Sequence, residues 1–404
     1  MELTHYRMRA SLLPAQTSTL AKSPVYANGI DRHLFAVSAS GAYFTDTEGR
    51  RWLDMDMALG SVIWGHSPPA LVARIAKQAA LGICLSVPTV LEGELAERII
   101  GRLHSFDQIQ FAKNGSDVTT AAVRLARAIT GRSQVLLGRY HGWHDWSAAH
   151  HYGQPDKLGI NATVADSSCW LHRESAAMVT ATFDRCHDIA AIVVCPEHWL
   201  PEDLQEVRRL ATQHGALLIF DEVKAGMRFG RRGVCGARGI MPDLLCLGKG
   251  LANGLPLAAL LGPSDLMRRL PDTRFSGTHA TEMLSMAAAI ACEDMLDQTK
   301  SWPVWHTNCS RLMADLSSAI TRLGLQQHLA VQGYPGSFRI GAPDGGTAKD
   351  FQDAFVQALA EQDIFSRGYV VPSTAHTEQE LASVQATALN CLEAWSIGRQ
   401  HIRK

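Results

Sequence analysis

The chain reads as an α/β protein: a large domain built on a mainly parallel, partly mixed sheet between helices, with a smaller α+β domain made from the two termini. Three observations predict this. From about residue 68 helical and strand patterns alternate, the strand candidates are short and almost wholly apolar, and the alternation stops near residue 300. We place the N-terminal segment of the small domain at 1–60, the large domain at 61–300 and the C-terminal part of the small domain at 301–404. The size suits this division, since 404 residues of which 46% are hydrophobic exceed what one core usually holds.

Residues 41–56 predict a hairpin, with Ala42-Tyr43-Phe44-Thr45, a turn around Asp46 to Gly49, and Arg51-Trp52-Leu53-Asp54. Helices follow at 69–80, 91–103 and 117–130, and strands at 135–137, 190–195, 216–220, 244–247 and 257–261. Between two of these strands, Pro201 suits a first helical position, Leu204, Val207, Leu210 and Ala211 form one apolar stripe, and Gly215 stops the helix. A long apolar helix spans about 282–297. Beyond it come a helix near 304–323, a glycine-rich stretch from Gly333 to Gly346, and helices near 349–362 and 378–396, the last opened by Thr377 and Glu380 in capping-box spacing.

Composition excludes several function classes. With 38 basic and 39 acidic side chains the formal net charge is -1, which offers no electrostatic case for a nucleic acid or an acidic membrane. The nine cysteines are scattered and form no C-x-x-C pair, so neither a disulfide framework nor a thiolate zinc site is signalled. The first thirty residues hold Arg7, Arg9 and Lys22 without a long apolar run, and no segment has the length of a membrane span. The expected location is therefore the cytoplasm, without signal peptide or anchor. Small-molecule chemistry is the remaining expectation.

That chemistry is concentrated at the ends of the apolar strands. Asp221 closes the run 216–220, and Lys249, one of nine lysines, lies between Gly248 and Gly250 just past 244–247. A lysine on a tight turn can hold an aldehyde as an imine, and a carboxylate at a buried strand end can keep a pyridine nitrogen protonated; together they suit pyridoxal phosphate. The plainer readings are a surface turn lysine and, for Asp221 with Glu222, a helix cap. Asn114-Gly115-Ser116-Asp117 opens the helix at 117–130 and brings free N–H groups, a hydroxyl and the positive end of a helix dipole together, as a phosphate cup would, or as an ordinary N-cap would. Tyr140-His141-Gly142-Trp143-His144-Asp145-Trp146 follows another strand and offers Tyr140 to stack on a flat ring. The histidines of that segment lack a zinc-site spacing, so no metal is expected. Ser276-Gly277-Thr278-His279 places small hydroxyl residues before the long apolar helix, where a plain cap is the simpler reading.

Taken together these segments resemble the class III, fold-type I pyridoxal phosphate enzymes, nearest to the pattern of glutamate-1-semialdehyde 2,1-aminomutase and its aminotransferase relatives. The resemblance spans nearly the whole chain through Ser23-Pro24-Val25, Gly41-Ala42-Tyr43, Gly65-His66, Arg124-Leu125-Ala126-Arg127, Tyr140-His141-Gly142, Asp221-Glu222-Val223, Pro242-Asp243-Leu244, Gly248-Lys249 and Ala375-His376-Thr377. It implies that Lys249 is the Schiff-base lysine, Asp221 the partner of the pyridine nitrogen, Val223 the apolar residue on one ring face and Tyr140 the aromatic on the other. It also implies His141 among the cofactor contacts, Gly115 and Ser116 as the phosphate cup, and Thr278 as a threonine reaching a phosphate across the boundary of a homodimer.

Departures from the pattern bear on the substrate. Tyr26 stands where the aminomutase has an arginine after Ser-Pro-Val, which removes a bidentate carboxylate clamp. Cys195-Pro196 replaces the common Glu-Pro, and His279-Ala280-Thr281-Glu282 replaces Gly-Asn-Pro. The expected activity is transfer of an amino group from a donor amino acid to a carbonyl acceptor such as a keto-sugar or another secondary metabolite, with an aminomutase or epimerase as the alternative. Tyr26, Trp64, Trp143 and His279 are the candidates for substrate contact. Partners are small molecules and a second copy of the chain, with no nucleic acid and no membrane.

Overall fold

The structure, a computed structural model, describes residues 3–23, 34–151, 158–298 and 300–402. It forms two compact units, one of Met1–Pro69 with Thr299–Lys404 and one of Ala70–Gln298. The first unit therefore draws on both ends of the sequence, and its N-terminal part runs to Pro69.

The first unit begins with an antiparallel meander, β1 (Ala36–Ser40), β2 (Tyr43–Asp46) and β3 (Arg51–Asp54). Asp46 makes the expected turn between β2 and β3: its Oδ1 accepts the N–H groups of Glu48 and Arg50 at 2.9 Å each, and its Oδ2 accepts the Trp52 indole at 2.8 Å. Fixing the turn with one side chain fixes the strand register, which puts Leu53 into the core.

The second unit carries a seven-stranded sheet. Its strands are β4 (Gln108–Ala112), β5 (Gln134–Leu137), β6 (Ser168–Trp170), β7 (Ile189–Val194), β8 (Leu217–Asp221), β9 (Leu244–Leu247) and β10 (Ala258–Gly262), in the order β4-β10-β9-β8-β7-β5-β6. From β9 to β6 every pairing is parallel, and β10 is antiparallel to both its neighbours. Burial explains why the central strands read as unbroken apolar runs. All six residues of β7 and all of β9 are buried, as both faces are covered by helices. The edge strands β4 and β6 escaped the sequence reading because Gln108-Ile109-Gln110 and Ser168-Cys169-Trp170 mix polar with apolar residues, as an edge permits.

Helix Pro201–His214 follows its sequence logic, with Pro201 in the first turn, Leu204, Val207, Leu210 and Ala211 buried, and Gly215 at φ 65° as its stop. Helix Gly115–Thr130 starts two residues before its expected position and packs Val118, Ala122 and Val123 against Val135, Val193 and Ile219. Among the described residues no helix is long and apolar enough to cross a membrane.

In the C-terminal part of the first unit the glycine-rich stretch is a hairpin of β11 (Ala330–Tyr334) and β12 (Ser337–Gly341), and β13 (Ile364–Phe365) adds parallel to β3. Helix Glu378–Ile402 opens with the expected capping box: Glu380 Oε2 accepts from Thr377 N at 2.7 Å and Thr377 Oγ1 from Glu380 N at 3.2 Å. Leu312, Leu316, Phe338, Phe351, Phe355 and Val384 belong to the core of this unit.

Candidate active site

The residues singled out in the second unit sit where parallel strands end. Asp221 is the last residue of β8, Lys249 follows β9 after one intervening glycine, Cys195 follows β7, the segment from Tyr140 follows β5, and Asn114-Gly115 follows β4. β4 points the same way as the parallel strands because β10, antiparallel to both, lies between it and β9. These ends therefore share one edge of the sheet, the edge at which ligands of such sheets bind.

Lys249 opens a 3-10 turn, Lys249–Ala252, with φ at 45°. A left-handed conformation is costly for a residue with a side chain and persists only where surrounding packing enforces it. Burial lowers the proton affinity of its amine from the usual lysine value, against the opposing pull of Asp221, Cys195 and Glu197.

Asp221 is 7% exposed and its Oδ2 lies 2.8 Å from His141 Nδ1. Its Oδ1 accepts the N–H of Val223 at 3.1 Å. His141 is fixed in turn from several sides. Its N–H donates to Ser147 Oγ at 3.1 Å, its carbonyl accepts from Thr119 Oγ1 at 2.7 Å, and its ring stacks on Trp146 with centroids 6.3 Å apart. The sequence reading placed His141 near the cofactor without a role; the structure makes it the group that holds Asp221. The signal was its place beside Tyr140 at a strand end, although sequence alone could not pair it with Asp221 across 80 residues.

Glu222 separates from Asp221. It turns inward to accept the N–H groups of Val234 at 2.7 Å and Cys235 at 2.8 Å, so it caps helix Gly233–Arg238. Burial pushes its carboxyl up to about 7, with those two N–H groups opposing. The acidic pair thus divides into one capping residue and one site residue.

Gly115, Gly142 and Val223 shape the site by close approach. A Cβ on Gly115 would stand 2.7 Å from Val223 Cγ1, and one on Gly142, at φ 115°, would stand 2.5 Å from Ser116 Oγ. Ser116 Oγ also accepts the Trp143 N–H at 3.3 Å, which ties the helix start to the aromatic segment. Asp117 caps the same helix by accepting the Asn114 N–H at 2.9 Å.

The other candidates fall elsewhere. Tyr140 is 45% exposed and Trp143 68%, so both stand on the rim. Thr278 and His279 are exposed and help line a cleft of about 390 Å³ with Lys113, Thr120, Arg124 and His144; its lining includes neither Asp221 nor Lys249. Ser276 and Thr278 stand well before helix Met283–Gln298, so they are not at its N-cap. Glu282 caps helix Met283–Gln298 instead, its Oε1 accepting the N–H groups of Leu284 at 2.5 Å and Ser285 at 3.3 Å, while its Oε2 accepts from Ser285 Oγ at 2.7 Å and pairs with Lys113 Nζ at 2.9 Å. Trp64 belongs to the first unit and is buried at 4% exposure. Tyr26 lies outside the described residues.

Cys195 was noted in the sequence only as a departure. Its Sγ lies 3.9 Å from His141 Nδ1, and His141, Cys195 and Asp221 each present a ligand-type atom within 4.8 Å of the others. The hydrogen bond from His141 to Asp221 already uses two of these atoms. Burial, with Asp221 and Glu197 adding, raises the Cys195 thiol well above its ordinary value, so the sulfur is held as a thiol.

A mixed sheet with its site at the carboxyl ends of the parallel strands, a lysine turn and a strand-end carboxylate define a fold-type I pyridoxal phosphate enzyme. The chain belongs to the class-III aminotransferase family, whose model matches residues 25–361. It is 37% identical over 300 residues to the glutamate-1-semialdehyde 2,1-aminomutase of Roseiflexus castenholzii, covering 70% of this chain and 69% of that one. The FumI protein of Sphingopyxis sp. MTA144, solved in its PLP internal aldimine form, matches with a TM-score of 0.85 and 28% identity over 97% of this chain and 95% of that one. A glutamate-1-semialdehyde-aminomutase from Pseudomonas aeruginosa PAO1 matches with a TM-score of 0.84 over 96% and 93%, and at 19% identity that likeness is one of fold. The cofactor of the family is pyridoxal phosphate, and the residues present fit it. The edge offers a helix start with a hydroxyl, a glycine at 115 whose Cβ would stand 2.7 Å from Val223 Cγ1, a buried carboxylate and an amine whose proton affinity burial lowers.

Proposed function

We propose that the protein is an aminotransferase that moves an amino group from a donor amino acid to a carbonyl acceptor, a keto-sugar or another secondary metabolite, and that it works as a homodimer in the cytoplasm. Pyridoxal phosphate, when bound, supplies an aldehyde that condenses with amines and a ring that withdraws electrons from the bond broken at the amine-bearing carbon. Lys249 Nζ, whose proton affinity burial lowers, would be the amine that meets that aldehyde and the base that takes the proton from the substrate carbon. Asp221, oriented by His141, would hold a proton on the ring nitrogen. Val223 would pack on one face of the ring and Tyr140 on the other, while the N–H groups of Gly115 and Ser116 and the Ser116 hydroxyl would hold the phosphate.

The observation that carries this reading is the placement of Lys249, held at a left-handed φ, and a buried, hydrogen-bonded Asp221 at the ends of adjacent strands. The homodimer draws support from the exposed apolar segment Leu81, Ile83, Leu85, Val87 and Val90, between 47% and 85% exposed. That segment abuts the Thr278 loop, since Cys84 Sγ reaches the Thr278 carbonyl at 3.9 Å and Ile83 accepts the Met283 N–H at 2.8 Å. Thr278 then serves the phosphate of the neighbouring copy. Nine free cysteines suit a reducing compartment.

The second reading is an aminomutase, favoured by the 37% identity to the Roseiflexus protein. Tyr26 in place of the clamp arginine weighs against glutamate-1-semialdehyde as its substrate. Visible absorption of the purified protein tests the core of the proposal. The wild type is expected to be yellow or to become so with pyridoxal phosphate, and Lys249→Ala to lose the lysine-linked band and at least about 10²-fold in turnover. A wild type that stays colourless after reconstitution overturns it. Release of a keto acid from the donor separates the aminotransferase from the aminomutase.

A further inference from the structure

A cavity of about 650 Å³ opens between helix Val90–Leu103, the C-terminal part of helix Met283–Gln298 and the segment from Gly230 to Ala237. Its lining lies wholly in the second unit and includes none of Asp221, Lys249, Ser116 and Tyr140. The function proposed above makes no use of it. Its size suits a small molecule, since ligand cavities run from about 300 to 1,000 Å³.

The base of the cavity is a buried ion pair. The Arg102 and Glu293 side chains, each 4% exposed, meet through Nε to Oε2 at 2.8 Å and Nη2 to Oε1 at 3.1 Å. Arg102 Nη1 donates to the Arg231 carbonyl at 2.6 Å, so the same pair fixes the turn that carries Arg232. Two further arginines on the lining are matched, Arg98 by Asp294 and Arg231 by Asp297. Of the arginines and carboxylates on the lining, Glu97 and Arg232 remain, and among the described residues neither side chain has a hydrogen bond or an ion pair.

Both of these residues stand where a glycine makes room. Gly101 follows Glu97 by one turn on the same helix face, and a Cβ there would meet nothing within 4 Å. Glycine inside a helix costs stability relative to alanine, and no neighbour's packing requires it here. On the facing wall a Cβ at Gly236 would stand 2.3 Å from Arg232 Cβ and 3.5 Å from its Nε, so the bare backbone lets the arginine stem lie along helix Gly233–Arg238.

We propose that this cavity is a small-molecule site, separate from the strand-end site, that takes a zwitterion carrying a carboxylate and an amine, as amino acids do. Arg232 receives the carboxylate on its fork of N–H donors, and Glu97 receives the ammonium. With the other charges cancelled in pairs, a bare anion would leave Glu97 unmatched and a bare cation would leave Arg232 unmatched.

Saturation-transfer NMR titrations of the full-length protein, incubated with pyridoxal phosphate, test this with N,N-dimethylglycine and 4-(dimethylamino)butanoate, zwitterions of short and long charge separation. Neither tertiary amine can form an imine, which excludes condensation with the cofactor; acetate and trimethylammonium are the single-charge controls. The wild type is expected to bind at least one zwitterion more tightly than either control. Arg232→Gln and Glu97→Gln are each expected to raise its Kd by about tenfold or more, the size of a hydrogen bond to a charged group. Gly101→Gln puts a better helix former into the open space, so its thermal midpoint is expected to equal or exceed that of the wild type while zwitterion binding is lost. Binding that all three variants leave unchanged lies elsewhere and overturns the proposal, as does a wild type that binds neither zwitterion. Acetate binding as tight as that of the zwitterions, and indifferent to Glu97→Gln, overturns the zwitterion assignment. Failure of the Lys249 assignment shows in the visible band of Lys249→Ala and leaves these titrations untouched.

Discussion

Tyr140 and His141 are adjacent in sequence and opposite in circumstance: the first is 45% exposed, the second 2%. They mark the two regions of the site. Beneath the strand ends lies a floor of His141, Asp221, Cys195 and Trp146, in which ring, carboxylate and main chain are each held by a named hydrogen bond or stack. At its rim stand Tyr140 and Trp143, and Thr278 and His279 line a neighbouring cleft; all four are exposed. A floor of this kind fixes a reacting group before anything binds, as positioned catalysis requires. A rim of exposed aromatic and hydroxyl side chains is completed by what it meets, whether substrate or a second copy. Chemistry and specificity are thus assigned to different parts of one edge.

The comparison breaks if the floor tolerates change. Asp221→Asn keeps the shape and removes the charge, and turnover is expected to fall by about 10²–10³-fold, with the fold intact by circular dichroism. An active Asp221→Asn enzyme would sink the assignment of the floor. His141→Phe tests the support beneath Asp221 with a smaller effect. The ring keeps its stack on Trp146 but loses the bond to Asp221 at 2.8 Å. A hydrogen bond to a charged group contributes about 1.5–3 kcal/mol, so kcat is expected to fall about ten- to a hundredfold, seen in single-turnover kinetics. An unchanged kcat would reduce His141 to packing.

The floor was partly legible before the structure, and the reason lies in how its residues are carried. Asp221 and Lys249 end apolar runs whose burial writes itself into composition, so their sheet edge follows from pattern alone. Gly115-Ser116 is legible because a helix start has a chemical signature. The bond from His141 to Asp221 was not legible, since it joins a loop to the end of another strand through sheet order, which one sequence does not state. Glu222 illustrates the limit from the other side. Its place next to Asp221 suggested a shared role, yet the turn after β8 sends it to cap helix Gly233–Arg238. Likewise Gly333–Gly346 reads only as a glycine-rich stretch, because glycine hides the hairpin of β11 and β12 that Ser337 and Phe338 help build. Edge strands β4 and β6 hid for the related reason that a half-solvated strand needs no apolar run.

The rim is tested by its smallest expected effect, and the test turns on which chain completes which site. Thr278→Ala removes one hydroxyl from an exposed loop, so folding should be unchanged and cofactor affinity should fall by about tenfold, the size of a single hydrogen bond to a charged group. In the proposed dimer the Thr278→Ala chain still has a sound floor, while the Asp221→Asn chain still has a sound Thr278. Unfolding and refolding the two variants together yields mixed dimers in which the sound floor meets the sound threonine. At a cofactor concentration too low to saturate Thr278→Ala alone, the mixture is expected to gain activity over the sum of its parts. If Thr278 serves its own chain, every site in the mixture carries one defect or the other and no gain appears. That result would leave the floor assignment standing and move the rim from the partner to the chain itself.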